Sequence, residues 1–246
     1  MGTGPFPCQM NTYQETFRIR YSEGDRRGRL KLRAFFDYAQ EVAGTHATAL
    51  GCGLEALLAR NQAWVLSRIR VRFHAYPSIG DEVILKTWPS GFDHLFARRE
   101  FELTGAGGAV LAETTSFWLF LDTENLRILN AVKEIGELMP DNSGLPVHFT
   151  ELGKLPAPTE GEQMEFSVRE TQIDLNGHLN NAEYAGILQD VLGEGCYPSE
   201  LQVNYQKSVP PGSRLAIACV RHGKDFQIAG RVEDTVAFVA GGTLEN

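Results

Sequence analysis

The chain has 246 residues, 43% of them apolar and 22% charged. That is the balance of a soluble globular protein with material for a sizeable core, and it excludes collagenous, low-complexity and disordered classes. At about 150 residues per domain, the length falls between one large domain and two small ones. The formal net charge of -8 argues against nucleic acid, whose phosphates require a basic surface. No apolar run approaches the roughly 20 residues of a membrane helix, so no membrane span is expected.

Residues 1–11 show no basic segment followed by an apolar one, so no secretory signal is expected and the location is read as cytoplasmic. Cys8, Cys52, Cys196 and Cys219 form no CxxC pair and no metal-ligand spacing. They read as reduced, packed thiols, and no metal or other cofactor is called for. Residues 18–33 then crowd Arg18, Arg20, Arg26, Arg27, Arg29, Lys31 and Arg33 against only Glu23 and Asp25. Such a stretch is either a solvated, salt-bridged edge or a docking patch for an acidic partner. It lies in the less acidic part of the chain: residues 1–150 carry 16 Lys or Arg against 17 Asp or Glu, and residues 151–246 carry 7 against 14.

Phe35, Tyr38, Ala39, Val42, Ala43 and His46 fall on one helical stripe, with Gly51 as its stop. Alternation over 64–73 predicts a strand with Val65, Ser67, Ile69, Val71 and Phe73 on one face and Arg68, Arg70 and Arg72 on the other. After the turn Pro77-Ser78-Ile79-Gly80-Asp81, further strands are predicted at 83–87, 95–103 and 110–121. Residues 131–162 hold Pro140, Pro146, Pro156 and Pro158 and the turn-like segment 140–144. Composition therefore divides the chain into a first unit, 1–135, a linker, 136–160, and a second unit, 161–246.

The second unit repeats the first. A shift of 149 residues places Asp25 on Asp174, Gly28 on Gly177, Leu30 on Leu179, Phe35 on Tyr184 and Gln40 on Gln189. Tyr184, Ile187, Leu188, Val191 and Leu192 repeat the helical stripe and stop at Gly193. Strands are predicted at 201–205, 215–220, 226–232 and 236–240, and 209–213 matches the turn at 77–81. A helix followed by hairpin-linked antiparallel strands, written twice, predicts an α+β fold in which each helix is wrapped by its own sheet.

The densest polar constellation spans 173–181. In an extended segment, period 2 would put Asp174, Asn176 and His178 on one side, with Leu175 and Leu179 toward the core. These groups then converge beside the N-terminus of the second helix, whose unpaired N–H groups can polarise a carbonyl or hold an oxyanion. Asp174 can orient His178 or act as base or nucleophile, His178 can move protons near neutral pH, and Asn176 can position a carbonyl or water. A plainer account makes Asp174 and Asn176 turn formers and Asn180 or Asn181 the helix cap. A lone histidine without spaced partners implies no metal.

The string Asp174-x-Asn176-x-His178-x-Asn180-Asn181-x-x-Tyr184 resembles the motif of the hotdog-fold thioesterases, most of all the acyl-acyl carrier protein thioesterases. The resemblance covers nearly the whole chain. It continues through Tyr21, Asp25, Gly28-Arg29-Leu30, Trp64-Val65-Leu66-Ser67-Arg68, Pro77-x-x-Gly80-Asp81 and Trp88-Pro89, in that order. It implies a tandem (double) hotdog and an enzyme that hydrolyses the thioester between a fatty acyl chain and the phosphopantetheine arm of acyl carrier protein. Free fatty acid is released and chain elongation ends. By position, the resemblance assigns activation and proton transfer to Asp174 and His178, and the carbonyl to Asn176 and the helix N-terminus. The first unit would supply the acyl pocket, with Phe35, Phe36, Trp64 and Phe73 as candidate walls, although each also fits plain core packing. With an acidic carrier as partner, Arg26, Arg27, Arg68, Arg70 and Arg72 become a candidate docking surface.

One departure matters. The family commonly reads Tyr-x-x-Glu-Cys on the strand after the helix, with the Glu taken as catalytic. Here Tyr205-Gln206-Lys207-Ser208-Val209 puts Ser208 at the Glu position. Losing a positioned acid or base costs about 10²–10⁴ in rate. Glu183 or another acid then substitutes, Ser208 positions water, or the enzyme is slow; Asn180 and Asn181 are further auxiliary candidates. Arg29 stands where the second unit has His178, so one active centre per chain is expected. Two alternatives stand beside this reading: a hotdog hydrolase of coenzyme A thioesters, and a catalytically weakened acyl-binding hotdog protein. Exposed sheet edges would also allow a homodimer.

Overall fold

The computed structural model describes residues 11–245, so Cys8 lies outside the described residues. Each half opens with a short edge strand, β1 (Tyr13–Arg18) or β7 (Glu162–Ser167), followed by a single 3-10 turn, Tyr21–Glu23 or Glu170–Gln172. The long helices come next, α1 (Leu32–Ala49) and α4 (Asn181–Leu192). Four strands complete each half. In the first these are β2 (Gln62–Phe73), β3 (Glu82–Asp93), β4 (Phe96–Gly105) and β5 (Val110–Asp122); in the second, β8 (Pro198–Tyr205), β9 (Arg214–His222), β10 (Asp225–Val232) and β11 (Thr235–Leu244). The first half adds α2 (Leu54–Leu58), β6 (Arg127–Ile128) and α3 (Ala131–Ile135).

Among the described residues the strands form one sheet in the order β1-β3-β4-β5-β2-β8-β11-β10-β9-β7, with β6 against β5. The order is a palindrome of the repeat: corresponding strands lie at equal distances from the β2–β8 junction. That junction is an antiparallel ladder running from Arg68 opposite Asn204 to Arg72 opposite Glu200. The sheet therefore continues from one half into the other. The helices share one core as well, because Phe35, Tyr38 and Val42 of α1 pack in a single buried cluster with Tyr184, Leu188 and Val191 of α4. Apolar stripes at helical spacing have nowhere else to bury their surface.

Two sequence expectations need correction here. Strict alternation along β2 fails because the β2–β5 register slips between Leu66 and Arg68. The extra residue of this bulge turns Leu66 inward and leaves Val65 40% exposed, while Ile69, Val71 and Phe73 stay buried. The edge strands β1 and β7 go unpredicted, since their mostly polar sequences carry only a faint apolar alternation.

The arginine row of β2 also differs from expectation. Arg68 donates to the Leu152 carbonyl and lies over the Phe96 ring. Arg70 and Arg72 both stack on Phe149 and share the Glu200 carboxylate. On β8, the amides of Gln202 and Asn204 donate to the Gly153 carbonyl. The chain between the halves is thus strapped over the β2–β8 ladder. Arg68, Arg70 and Arg72 hold it there and do not form one free basic face with Arg26 and Arg27.

Candidate active site

The segment 173–179 is a tight hairpin loop, where an extended strand was expected. Ile173 and Leu179 form an isolated bridge, the Asp174 N–H donates to the His178 carbonyl at 2.8 Å, and Gly177 N–H donates to the Asp174 carbonyl at 3.0 Å. The turn needs a left-handed residue, and Gly177 supplies it at φ 75°. The Asp174 carboxylate accepts the backbone N–H of Asn176 at 2.8 Å and of His178 at 3.3 Å, and the Asn176 side-chain amide at 3.4 Å. This Asx-type bonding explains why Asp begins the loop. It also changes the expected pairing, because Asp174 holds the backbone of His178 and not its ring. Among the described residues the His178 ring has no hydrogen-bond partner. Leu175, expected in the core, is 88% exposed, while Leu179 is buried.

The loop delivers Asn176 to a cleft of about 200 Å³ in the other half of the molecule. Its walls come from α1 (Gln40, Ala43, Ala47), from Leu57 of α2, and from Trp64 and Trp118 of the sheet. Asn176 is exposed and sits at the rim, whereas Arg99 of β4, also lining the cleft, is 9% exposed. Beside the cleft, Asn181 and Ala182 at the start of α4 line a small cavity of about 20 Å³ together with Gln40 and Trp118. The Asn180 side chain caps α4 by accepting the Ala182 N–H at 2.8 Å. Among the described residues the Asn181 N–H has no partner, and the Gln40 amide has none either. A carboxylate-braced loop and the Gln40 amide therefore meet at one mostly apolar cleft, with the Asn181 N–H of α4 at the small cavity beside it. Such donors can hold an ester-type carbonyl as charge builds on its oxygen.

The first half builds the same loop from Asp25 to Arg29. Asp25 N–H donates to the Arg29 carbonyl at 2.8 Å, Gly28 N–H to the Asp25 carbonyl at 3.0 Å, and the Asp25 carboxylate accepts the N–H groups of Arg27 and Arg29. Gly28 takes φ 79°. In this copy the Asp25 and Arg29 side chains are both engaged beyond the loop. Arg29 pairs with Glu245 at 2.8 Å and lies over the Tyr197 ring, whose hydroxyl donates to Asp25 at 2.5 Å. Burial works against ionisation of Asp25, but the Tyr197 hydroxyl and the Arg27 and Arg29 amides together hold its carboxyl below the ordinary range. Gln189, the counterpart of Gln40, accepts the Leu32 N–H at the start of α1 at 3.0 Å. The helix N-terminus left open in one half is plugged in the other.

The remaining candidates fall in different places. Trp64 lines the cleft, held by its N–H to the Cys52 carbonyl and by contact with Phe120. Phe36 reaches only the small neighbouring cavity, and Phe35 and Phe73 pack edge to face on each other in the shared core. Glu183 points away from the cleft: it is buried, pairs with Arg33 at 2.7 Å and accepts from Gln172, beside a separate polar depression of about 560 Å³. It is therefore not placed as the substitute acid. Ser208 is exposed next to the loop, since the Leu179 N–H donates to the Val209 carbonyl. Arg26 and Arg27 flank the polar depression with 71% and 55% of their side chains exposed, and face Glu194 at 2.9 and 4.0 Å. Among the described residues no group of three His, Cys, Asp or Glu side chains is placed to hold a metal ion, and no helix is long and apolar enough to cross a membrane.

The acyl-ACP thioesterase N-terminal domain matches residues 10–139, and the acyl-ACP thioesterase C-terminal domain matches residues 156–239. The chain belongs to the acyl-ACP thioesterase family. Its relatives include the oleoyl-acyl carrier protein thioesterase of Coriandrum sativum, 23% identical over 209 residues, which are 78% of this chain and 57% of that protein. Another is the dodecanoyl-[acyl-carrier-protein] hydrolase of Umbellularia californica, 27% identical over 251 residues, which are 94% of this chain and 65% of that protein. The chain thus spans less than two thirds of the length of these relatives. Among solved structures, an acyl-ACP thioesterase from Bacteroides thetaiotaomicron superposes with a TM-score of 0.85 at 18% identity, covering 96% of this chain and 98% of the other. The 12:0-ACP thioesterase of Umbellularia californica gives 0.82 at 23% identity, covering 98% and 99%. These likenesses show the fold, the tandem hotdog. Gln40 and Arg99 are polar residues of the cleft that no sequence motif marks. Gln40 was visible only as a repeat match with Gln189, and Arg99 only as a charge in a strand.

Proposed function

We propose that this member of the acyl-ACP thioesterase family hydrolyses a fatty acyl thioester of acyl carrier protein, giving free fatty acid and the carrier thiol. The observation that supports it most is the delivery of Asn176 by the second unit, 161–246, to the rim of an apolar cleft in the first unit, 1–135, beside the open N-terminus of α4. The acyl chain enters the cleft along Trp64, and the thioester carbonyl rests between the Asn176 amide and the Asn181 N–H. Water adds to the carbonyl carbon as Asp174 takes its proton. The proton on Asp174 passes through solvent water to the His178 ring, and His178 gives it to the sulfur as the C–S bond breaks, so that the acid and the carrier thiol leave and Asp174 is a carboxylate again. Ser208, next to the loop, positions the water. The linker 136–160 joins the two units. An acidic carrier docks at Arg26 and Arg27, which lie beside the depression on the opposite helix.

The test is turnover of a panel of acyl thioesters on carrier protein and on coenzyme A, with wild type beside Asp174→Ala. Loss of turnover in the variant is expected, and equal rates would place the site elsewhere. A preference for the coenzyme A esters would move the assignment to that class. Binding of acyl carrier without turnover by wild type would make the protein a binding module. Charge reversal at Arg26 and Arg27 should weaken hydrolysis of the carrier substrate far more than that of a short thioester mimic.

A further inference from the structure

The polar depression beside Arg26 and Arg27 is the repeat's counterpart of the cleft. A shift of 149 residues carries Gln40, Gly44 and Ala47 of the cleft onto Gln189, Gly193 and Cys196 of the depression, and Arg27 of the depression onto Asn176. Where the cleft wall has a methyl group, the depression has a thiol. Cys196 is half-buried and lines a space of about 560 Å³, so small solutes reach it. Its sulfur accepts from Arg221 Nη1 at 3.7 Å. Arg221 follows Cys219 by two residues on β9, so both side chains stand on one face of the strand. The guanidinium reaches the Cys219 thiol as well. Arg221 Nη2 donates to the Val191 and Leu192 carbonyls at 2.9 and 2.7 Å, which fixes the cation at the C-terminal end of α4. Cys219 is 4% exposed and belongs to the core cluster against which Cys196 packs. One thiol is thus open to solvent, one is closed to it, and a single cation touches both.

We propose that Cys196 and Cys219 are a paired oxidation site for small disulfides, with Cys196 as the attacking thiol and Cys219 as the resolving one. The Cys196 thiol gives its proton to solvent, and its sulfur attacks one sulfur of the small disulfide. That S–S bond breaks, and the first small thiolate leaves and takes a proton from solvent. Cys219 then loses its proton in the same way and attacks the Cys196 sulfur, and the second small thiol leaves. Two protein thiols are oxidised to one disulfide, and one small disulfide is reduced to two thiols. The attacking species in each step is a thiolate, and Arg221 lays positive charge against whichever sulfur is negative. Cys52 is the contrast within the same chain: it is 1% exposed, burial pushes its thiol up, and it lies in the wall of the cleft in the other half. The exchange uses nothing from the thioester chemistry, so it stands or falls apart from the proposed function.

The experiment treats the full chain carrying Cys8→Ser, so that the one thiol outside the described residues takes no part, with oxidised glutathione, and maps the peptides by mass spectrometry. A Cys196–Cys219 cross-link that dithiothreitol reverses is expected, with Cys52 still free. Adding Cys219→Ser should stop the reaction at one glutathione on Cys196, whereas adding Cys196→Ser should leave Cys219 unmodified. Arg221→Met should slow attack by Cys196 by about 2- to 5-fold, and Arg221→Lys, which keeps a cation, should recover part of that rate and serves if the Met variant fails to fold. A glutathione adduct that persists on Cys196 while Cys219 is intact would overturn the pairing. Modification of Cys219 in the Cys196→Ser chain, as fast as that of Cys196 in the Cys219→Ser chain, would overturn the order of attack. A Cys196 that stays unmodified while Cys52 reacts would overturn the site, and a rate unmoved by Arg221→Met would remove Arg221 from it.

Discussion

The loops Asp25–Arg29 and Asp174–His178 have one backbone and two fates. In both, an Asp carboxylate accepts the N–H groups two and four residues ahead, a left-handed Gly closes the turn, and a helix follows. In the first copy the ends are sealed by Tyr197, Glu245 and Gln189. In the second, Asn176 reaches the cleft, and among the described residues the His178 ring and the Asn181 N–H have no partner. The difference teaches that the loop is a structural device in both halves, and that chemistry depends on which polar groups the surroundings leave unsatisfied.

Parallel substitutions in the two copies test this contrast. The largest effect is expected from the carboxylates. Asp174→Asn keeps an acceptor for the loop but loses the base, and should lower kcat by about 10²–10⁴. Asp25→Asn should leave turnover of a short thioester unchanged; a comparable loss there would mean that the first loop also takes part in the chemistry.

The glutamines come next. Gln40→Ala should cut kcat by about 10² if its amide and the α4 N-terminus act on the carbonyl, with little change in melting. Gln189→Ala should do the reverse, costing about 1 kcal/mol of stability through the unsatisfied Leu32 N–H and little activity. Denaturant titration beside steady-state kinetics separates the two, and matching phenotypes would dissolve the open-against-plugged distinction.

Gly28→Ala and Gly177→Ala meet no atom within 4 Å, so only the left-handed backbone is strained. Each should cost about 1–2 kcal/mol, while only Gly177→Ala also slows turnover.

The smallest effect is in pH. Asp25 has a carboxyl held below its ordinary 3.8, so its contribution to stability is fully present above that value and is lost as pH falls through the lower folded value. The stability gap between wild type and Asp25→Asn should therefore shrink as the pH is taken below about 3.8, and a gap that widened on acidification would contradict the bonding seen at Tyr197.

Much of this architecture was legible. The helical stripes, eight strands and the 149-residue repeat follow from apolar periodicity, and the repeat is reproduced down to β1 against β7 and the paired 3-10 turns. Other features were hidden by the scale on which they are set. The Ser67 bulge shifts a phase that alternation assumes constant. Arg68, Arg70 and Arg72 look like a free basic row until the chain near Phe149 and Leu152 is laid over them. The extended reading of 173–179 failed because a side-chain carboxylate bonding its own backbone outcompetes strand geometry.

By itself the sequence determined what local bonding controls: two Asp-to-Gly loops, each leading into an apolar helix, and a charge imbalance between the halves. Those interactions close within four or five residues and need no partner from afar. Only the tertiary structure decided that a loop of the second half reaches a cleft of the first, that one helix N-terminus accepts a glutamine from the other half while among the described residues its counterpart does not, and that Arg99 is buried with no described carboxylate paired to it. These are facts about which distant groups meet, and the order of residues along a strand or helix does not encode them one segment at a time.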